Sequence, residues 1–220
     1  MRLVHALVTL SVITAAAGLS GGCVENRATL YIESVLGQSG DSDECDITPP
    51  GEVFVASGSF DPGSGTSYVA YLVVANQMVP LGDNDTLRPE TSRIQLEGAE
   101  ISMPGQDTYS VPFSATVHPD PSTAPGYVTV GVPILRSDVT AGVYQVTVVV
   151  YGTTLGGLNV ESGEFVFPIT VFEEGTFAFC GSLADMTDEG YPTDPCGRFG
   201  QDGYLYPCSD VNFPGCDVCP

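Results

Sequence analysis

Between residues 27 and 172 the sequence never sustains an apolar repeat of helical period. Short runs of β-branched and aromatic residues alternate instead with clusters of Gly, Pro, Asp and Ser. Runs this short, punctuated this regularly, confine the stretch to an all-β sandwich or barrel. The strands expected are 28–36, 53–60, 67–75, 93–103, 109–117, 127–135, 145–151 and 164–172, with residues 61–66 as a hairpin loop. Within 93–103 the apolar positions change phase, from Ile94 and Leu96 to Ile101 and Met103. A strand cannot switch faces without an extra residue, so a β-bulge is expected at Gly98-Ala99. Pro112 and Pro133 push their strands towards edges or bulges, because proline donates nothing to a ladder. Residues 145–151 are nearly all apolar, which predicts a strand buried on both faces or nearly so.

The segment Asp138-Val-Thr-Ala-Gly-Val-Tyr144, leading into that strand and a returning one, resembles the last hairpin of immunoglobulin-like sandwiches. The resemblance implies that the Tyr144 hydroxyl bonds back to the corner preceding it. With no tryptophan there is no Cys–Trp–Cys core, so an antibody-type domain is excluded, and a jelly roll stays open as the alternative. The expected fold is an all-β, immunoglobulin-like antiparallel sandwich over residues 28–172, followed by a cysteine-rich, loop-dominated tail over 173–220.

The tail holds five of the seven cysteines, at 180, 196, 208, 216 and 219; the others are Cys23 and Cys45. A segment so rich in Gly, Pro and Asp cannot bury enough apolar surface to fold alone, so disulfides are expected to hold it. The spacing Cys208-x7-Cys216-x2-Cys219, with Cys196, also fits zinc, but an oxidising compartment favours disulfides. Five is odd, so one tail cysteine is expected to pair with Cys45. In an immunoglobulin-like order the end of the first strand and the end of the last lie at the same end of the domain.

The N-terminus supplies the compartment. Met1-Arg2, a largely apolar stretch from Leu3 to Leu19 and small residues at 20–22 read as a signal peptide over 1–22. Ending at Cys23, this resembles the lipobox of bacterial lipoproteins, which implies cleavage before Cys23 and its acylation with diacylglycerol. Residues 23–27 are then a lipidated start and short linker, spanning at most about 14 Å over four residues. Val24, in place of aspartate, implies outer-membrane sorting in that family. The alternative is cleavage after residues 15–17 and a soluble secreted protein. Lipidation of Cys23 leaves six cysteines, enough for three bridges.

Without residues 1–22, 27 acidic residues face five arginines and no lysine, a net charge of −22. Such a field repels nucleic acid and anionic lipid and favours cations and basic partners. Acidic turns raise calcium, at Asp83 and Asp85, at Asp185 and Asp188, and around Cys45, but none matches an EF-hand loop. No phosphate loop, dinucleotide fingerprint or nucleophile motif stands outside the signal peptide, and no cofactor is expected. His118 is the single histidine of the mature chain.

As a whole the chain resembles acidic bacterial envelope lipoproteins with an immunoglobulin-like body. That resemblance implies membrane attachment through the lipid and a protein or polysaccharide partner in the envelope. A non-catalytic binding or structural module is the leading expectation. It places the contact surface at an exposed aromatic patch of Tyr191, Phe199, Tyr204, Tyr206 and Phe213. The alternatives are a hydrolase acting on an envelope polymer and a calcium-dependent adhesion module.

Overall fold

The computed structural model describes residues 29–37, 54–82, 89–121, 125–190, 198–209 and 213–219 of the 220. Two sheets face each other. The first carries β1 (Leu30–Leu36), β2 (Phe54–Val55), β4 (Tyr68–Asn76) and β7 (Gly126–Leu135), in the order β2-β1-β4-β7. The second carries β3 (Gly58–Phe60), β5 (Ile94–Ser102), β6 (Tyr109–Val117), β8 (Gly142–Thr154) and β10 (Phe165–Val171), in the order β3-β10-β8-β5-β6, with β9 (Asn159–Glu161) added to β8. Within these two sheets the described pairings are antiparallel except β3 with β10. In the tail, β11 (Ala178–Phe179) pairs in parallel with β12 (Tyr206–Pro207), and one helical turn covers Leu183–Asp188. The molecule is an antiparallel β-sandwich with a disulfide-held tail, and its strand order is compatible with an immunoglobulin-like one.

Alternation builds the core. Leu72 and Val74 of β4, Ile94, Leu96 and Ile101 of β5, Val146, Val148 and Val150 of β8, and Phe167 and Ile169 of β10 are all fully buried in one cluster. Asn76 ties the sheets at one end, where its amide donates to the Ser92 and Val117 carbonyls and accepts from Met78 N–H.

The phase change in β5 is a bulge. It lies one residue before the expected Gly98-Ala99: Glu97 is the extra residue against β8, where Leu96 pairs with Gly152 and Gly98 with Tyr151, whereas against β6 the extra residue is on the partner, Leu96 pairing with Ala115 and Gly98 with Pro112. A Cβ on Gly98 would lie 2.6 Å from the Tyr151 hydroxyl and 2.8 Å from the Val111 carbonyl oxygen, so the bulge requires glycine there. The proline strands β6 and β7 are both sheet edges. At the corner before β8, the Tyr144 hydroxyl donates to the Thr140 carbonyl at 2.9 Å, as the hairpin resemblance implied.

Three expectations change. Residues 53–60 are two strands, because the chain bends at Ala56-Ser57 and crosses from β1 of the first sheet to β10 of the second. Residues 61–66 therefore join β3 to β4 across the sandwich and do not close a hairpin. They hold a 3₁₀ turn at Pro62–Ser64. Finally, β8 is buried on one face only, with Gln145 exposed and Val149 half-buried, because a two-layer sandwich covers one side of each sheet.

Candidate functional site

The 3₁₀ turn begins a polar joint that binds the tail to one end of the sandwich. Asp61 precedes Pro62 and Gly63, and its side chain caps the turn by accepting Gly63 N–H at 2.8 Å. The same carboxylate, fully buried, accepts Gly175 N–H at 3.2 Å, Phe177 N–H at 2.7 Å and the Tyr206 hydroxyl at 3.1 Å. One acidic side chain thus gathers the β3–β4 connection, the chain leaving β10 and the tail. Burial, with the adjacent Asp61 charge, pushes the Tyr206 phenol well above its usual range, so it remains a donor. The hydroxyl sits between Gly63 and Gly215, at both of which a Cβ would overlap it.

Next to this clasp the tail adds itself to the sheets. Gln201, fully buried, accepts Val69 N–H through Oε1 at 3.0 Å and donates from Nε2 to the Val69 carbonyl at 3.1 Å. Its side-chain amide stands in for a neighbouring strand beside the irregular step of β4 against β7 at Tyr68-Val69. The backbone of Gln201 bridges Phe60. Asp202, at a left-handed φ of 53°, accepts Ser59 N–H at 2.9 Å and the Tyr68 hydroxyl at 3.0 Å, and returns its own N–H to the Ser59 carbonyl. Burial raises the Asp202 carboxyl above the ordinary aspartate range despite these donors, and it raises the Tyr68 phenol as well.

The aromatic residues of the tail occupy this joint. Tyr206 is fully buried, and its ring meets Phe213 edge-on at 5.2 Å; Phe213 in turn meets Phe199 at 6.1 Å. Phe199, Tyr204 and Phe213 are half-buried. Tyr206, Phe213 and Phe199 thus pack in turn at the joint, with Tyr206 closed off and Phe199, Tyr204 and Phe213 partly exposed; Tyr191 lies outside the described residues. The sequence contained a signal for Asp61, since Asp-Pro-Gly is an N-cap followed by Pro at the first helical position. Gln201 and Asp202 had none.

Two disulfides hold the tail, Cys180–Cys219 and Cys208–Cys216. Cys23, Cys45, Cys196, Asp83 and Asp85 lie outside the described residues. Asp185 serves its own helix: its carboxylate accepts Ser182 N–H at 2.8 Å and the Ser182 hydroxyl at 2.7 Å, and these bonds hold it below the ordinary range. Among the described residues no three His, Cys, Asp or Glu side chains, Asp188 included, gather as metal ligands. His118 is exposed just after β6. No helix among the described residues is long and apolar enough to cross a membrane.

The joint forms one wall of an open cleft of about 360 Å³. Pro62 from the β3–β4 connection, Val139 and Thr140 from the β7–β8 corner, Phe172 and Glu174 beyond β10, and Pro214 of the tail line it. Phe172 is backed by Phe177 at 5.4 Å between ring centres. No histidine, cysteine or lysine lines the cleft, and Asp202, the carboxyl raised by burial, stands outside it. The lining combines apolar side chains with the Ser137 and Thr140 hydroxyls and the Glu173 and Glu174 carboxylates.

Fold and site together define a two-sheet antiparallel β-sandwich plugged at one end by a disulfide-held tail. Compared with known proteins, the chain matches no family model, no curated protein and no solved structure.

Proposed function

We propose that the protein is an exported lipoprotein of the bacterial envelope, anchored through Cys23 in the outer membrane, that works by binding at the tail end of its sandwich. The observation that carries this reading is the placement of the cleft. Strand β1 starts with Leu30 opposite Asn76, at one end of β4, while the tail joins at Val69, at the other. Seven residues of extended strand separate those points, roughly 24 Å. Cys23 precedes Leu30 by seven residues and the chain enters β1 at the end away from the cleft, which supports a cleft open to the periplasm or the cell exterior. Two disulfides support an oxidising compartment. The carboxylates of Glu173 and Glu174 at the rim, within a strongly acidic chain, favour a basic protein segment or an amino-bearing envelope polymer.

Two measurements test it. Palmitate labelling of the native host should mark the wild-type protein and not Cys23→Ala, which should leave the membrane fraction; an unlabelled, soluble wild type removes the anchor. Separately, a photo-crosslinker at the exposed Ala141 on the cleft rim should yield one discrete adduct in the envelope. A crosslinker at Ser114, on the outer face of β6, should not yield it. Equal adducts from both positions remove the cleft as the contact.

A further inference from the structure

The end of the sandwich opposite the cleft carries a surface of its own. Asn76 closes β4 there, and its bonds to the Ser92 and Val117 carbonyls bring the ends of β5, β6 and β8 to the same level. β1 and β7 begin at this end, since Leu30 and Gly126 both pair with Asn76. Two loops cap it, and adjacent residues hold both. The Ser92 hydroxyl donates to the Val79 carbonyl at 2.8 Å, and Gly156 N–H, in the β8–β9 turn, donates to the Thr91 carbonyl at 3.2 Å. The side chains these loops leave in solvent are large and aliphatic. Val79 is 75 % exposed, Leu81 43 %, Leu155 52 % and Leu158 63 %.

A single exposed leucine is ordinary, but a group of such side chains on neighbouring loops marks a contact surface. The backbone beneath them is already satisfied. In the turn, Thr154 N–H donates to the Leu158 carbonyl, Leu155 to the Arg93 carbonyl, Gly156 to the Thr91 carbonyl, Gly157 to the Thr154 carbonyl and Leu158 to the Thr154 hydroxyl. In the other loop, Leu81 and Gly82 N–H both donate to the Glu90 carboxylate. Donors that need no water, beneath exposed aliphatic side chains, meet the demand of a lipid interface, where an unmatched backbone group is costly. The charges are placed to allow it. Among the described residues the acidic and basic side chains at this end are Glu90, Arg93, His118 and Asp120. Glu33, Glu97 and Glu161 stand three residues back along their strands, roughly 10 Å. The cleft end, by contrast, exposes Asp107, Asp138, Glu173, Glu174 and Asp217.

We infer that this end docks on a lipid bilayer of no net charge, with Val79, Leu81, Leu155 and Leu158 entering the interface. The inference rests on the anchor reading above and goes beyond it. A lipid on Cys23 is seven residues from Leu30, at most about 25 Å of chain, so the bilayer lies within reach of this end. The strongly acidic chain disfavours anionic head groups, whereas burial of aliphatic surface in the interface requires no charge. Docking holds the sandwich upright on the membrane, with the cleft at the far end.

The chain has no tryptophan, so one placed in the patch is the sole reporter. Full-length acylated protein is prepared as Leu158→Trp, as Leu155→Trp, and as Leu183→Trp, whose site is exposed on the helical turn of the tail. Each is reconstituted in phosphatidylcholine vesicles with plain or brominated acyl chains. The expected result is blue-shifted emission from Leu158→Trp and Leu155→Trp, quenched by the brominated chains, and unshifted, unquenched emission from Leu183→Trp. Unquenched emission from both patch positions, in protein that floats with the vesicles, overturns the docking and leaves the anchor standing. Equal quenching at all three positions overturns it too, because the sandwich then lies on its side. A blue shift without quenching, in protein that crosslinks as pairs on the vesicle, gives the patch to a second copy and overturns it. Protein that carries no acyl group and stays out of the vesicles overturns the docking and the anchor together.

Discussion

Asp61 accepts four hydrogen bonds from three separate segments of the chain. Replacing it with alanine leaves Gly63, Gly175 and Phe177 N–H and the Tyr206 hydroxyl without their acceptor in a closed site. Unmatched buried donors cost about 1–3 kcal/mol each before relaxation. Asp61→Ala should therefore lose about 3–5 kcal/mol by urea denaturation, a large share of the roughly 5–15 kcal/mol available to a domain. Asp202 behaves in the opposite sense. Its folded pKa lies above its unfolded one, so the folded state holds the proton more tightly, and stability falls as pH rises from the unfolded value through the folded value. Asn at this position keeps an acceptor for Ser59 N–H and tolerates the left-handed backbone. Asp202→Asn should thus be at least as stable as wild type at pH 7, with its advantage shrinking towards pH 3.5 in parallel urea melts. A constant difference across that range removes the linkage.

At the scale of elements, the bulge of β5 is the sharpest test of how sequence sets register. Its glycine was legible because the apolar phase changes across it, and the physical reason is the period of two: one inserted residue restores Ile101 to the core face where Leu96 already lies. Gly98→Ala puts a Cβ against the Val111 carbonyl oxygen, which belongs to a paired strand and cannot swing away as the Tyr151 side chain can. The expected loss is about 1–3 kcal/mol. Gly163→Ala, where nothing stands within 4 Å, should change stability by less than about 1 kcal/mol. Comparable losses at both sites, read from the same denaturation curves, argue against steric control of the bulge. The division of 53–60 into β2 and β3 was not legible. The run reads as one strand, and only the parallel pairing of β3 with β10 shows why the chain must leave the first sheet at Ala56.

For the whole molecule, covalent and polar bonding share the task of holding the tail. In the chain-entropy model the described bridges, closing 39 and 8 residues, contribute about 4 and about 2.5 kcal/mol. The clasp by Asp61 and the Gln201 pairing with Val69 do not depend on them. Reduction should therefore lower the far-UV melting midpoint by roughly 5–15 °C while leaving one cooperative transition. Loss of the sandwich transition itself on reduction contradicts this division. Most strands, the proline edges and the phase change of β5 follow from the sequence alone, because each is set by periodicity or backbone constraint within a few residues; the Tyr144 corner followed from the resemblance to immunoglobulin-like hairpins. The tail's need for disulfides follows from its composition. The location of the joint was decided by tertiary structure. Asp61, Gln201, Asp202 and Tyr206 are separated by up to 145 positions and carry no common motif. A buried hydrogen-bonded cluster of this kind depends on which distant segments meet, and local patterning does not encode that.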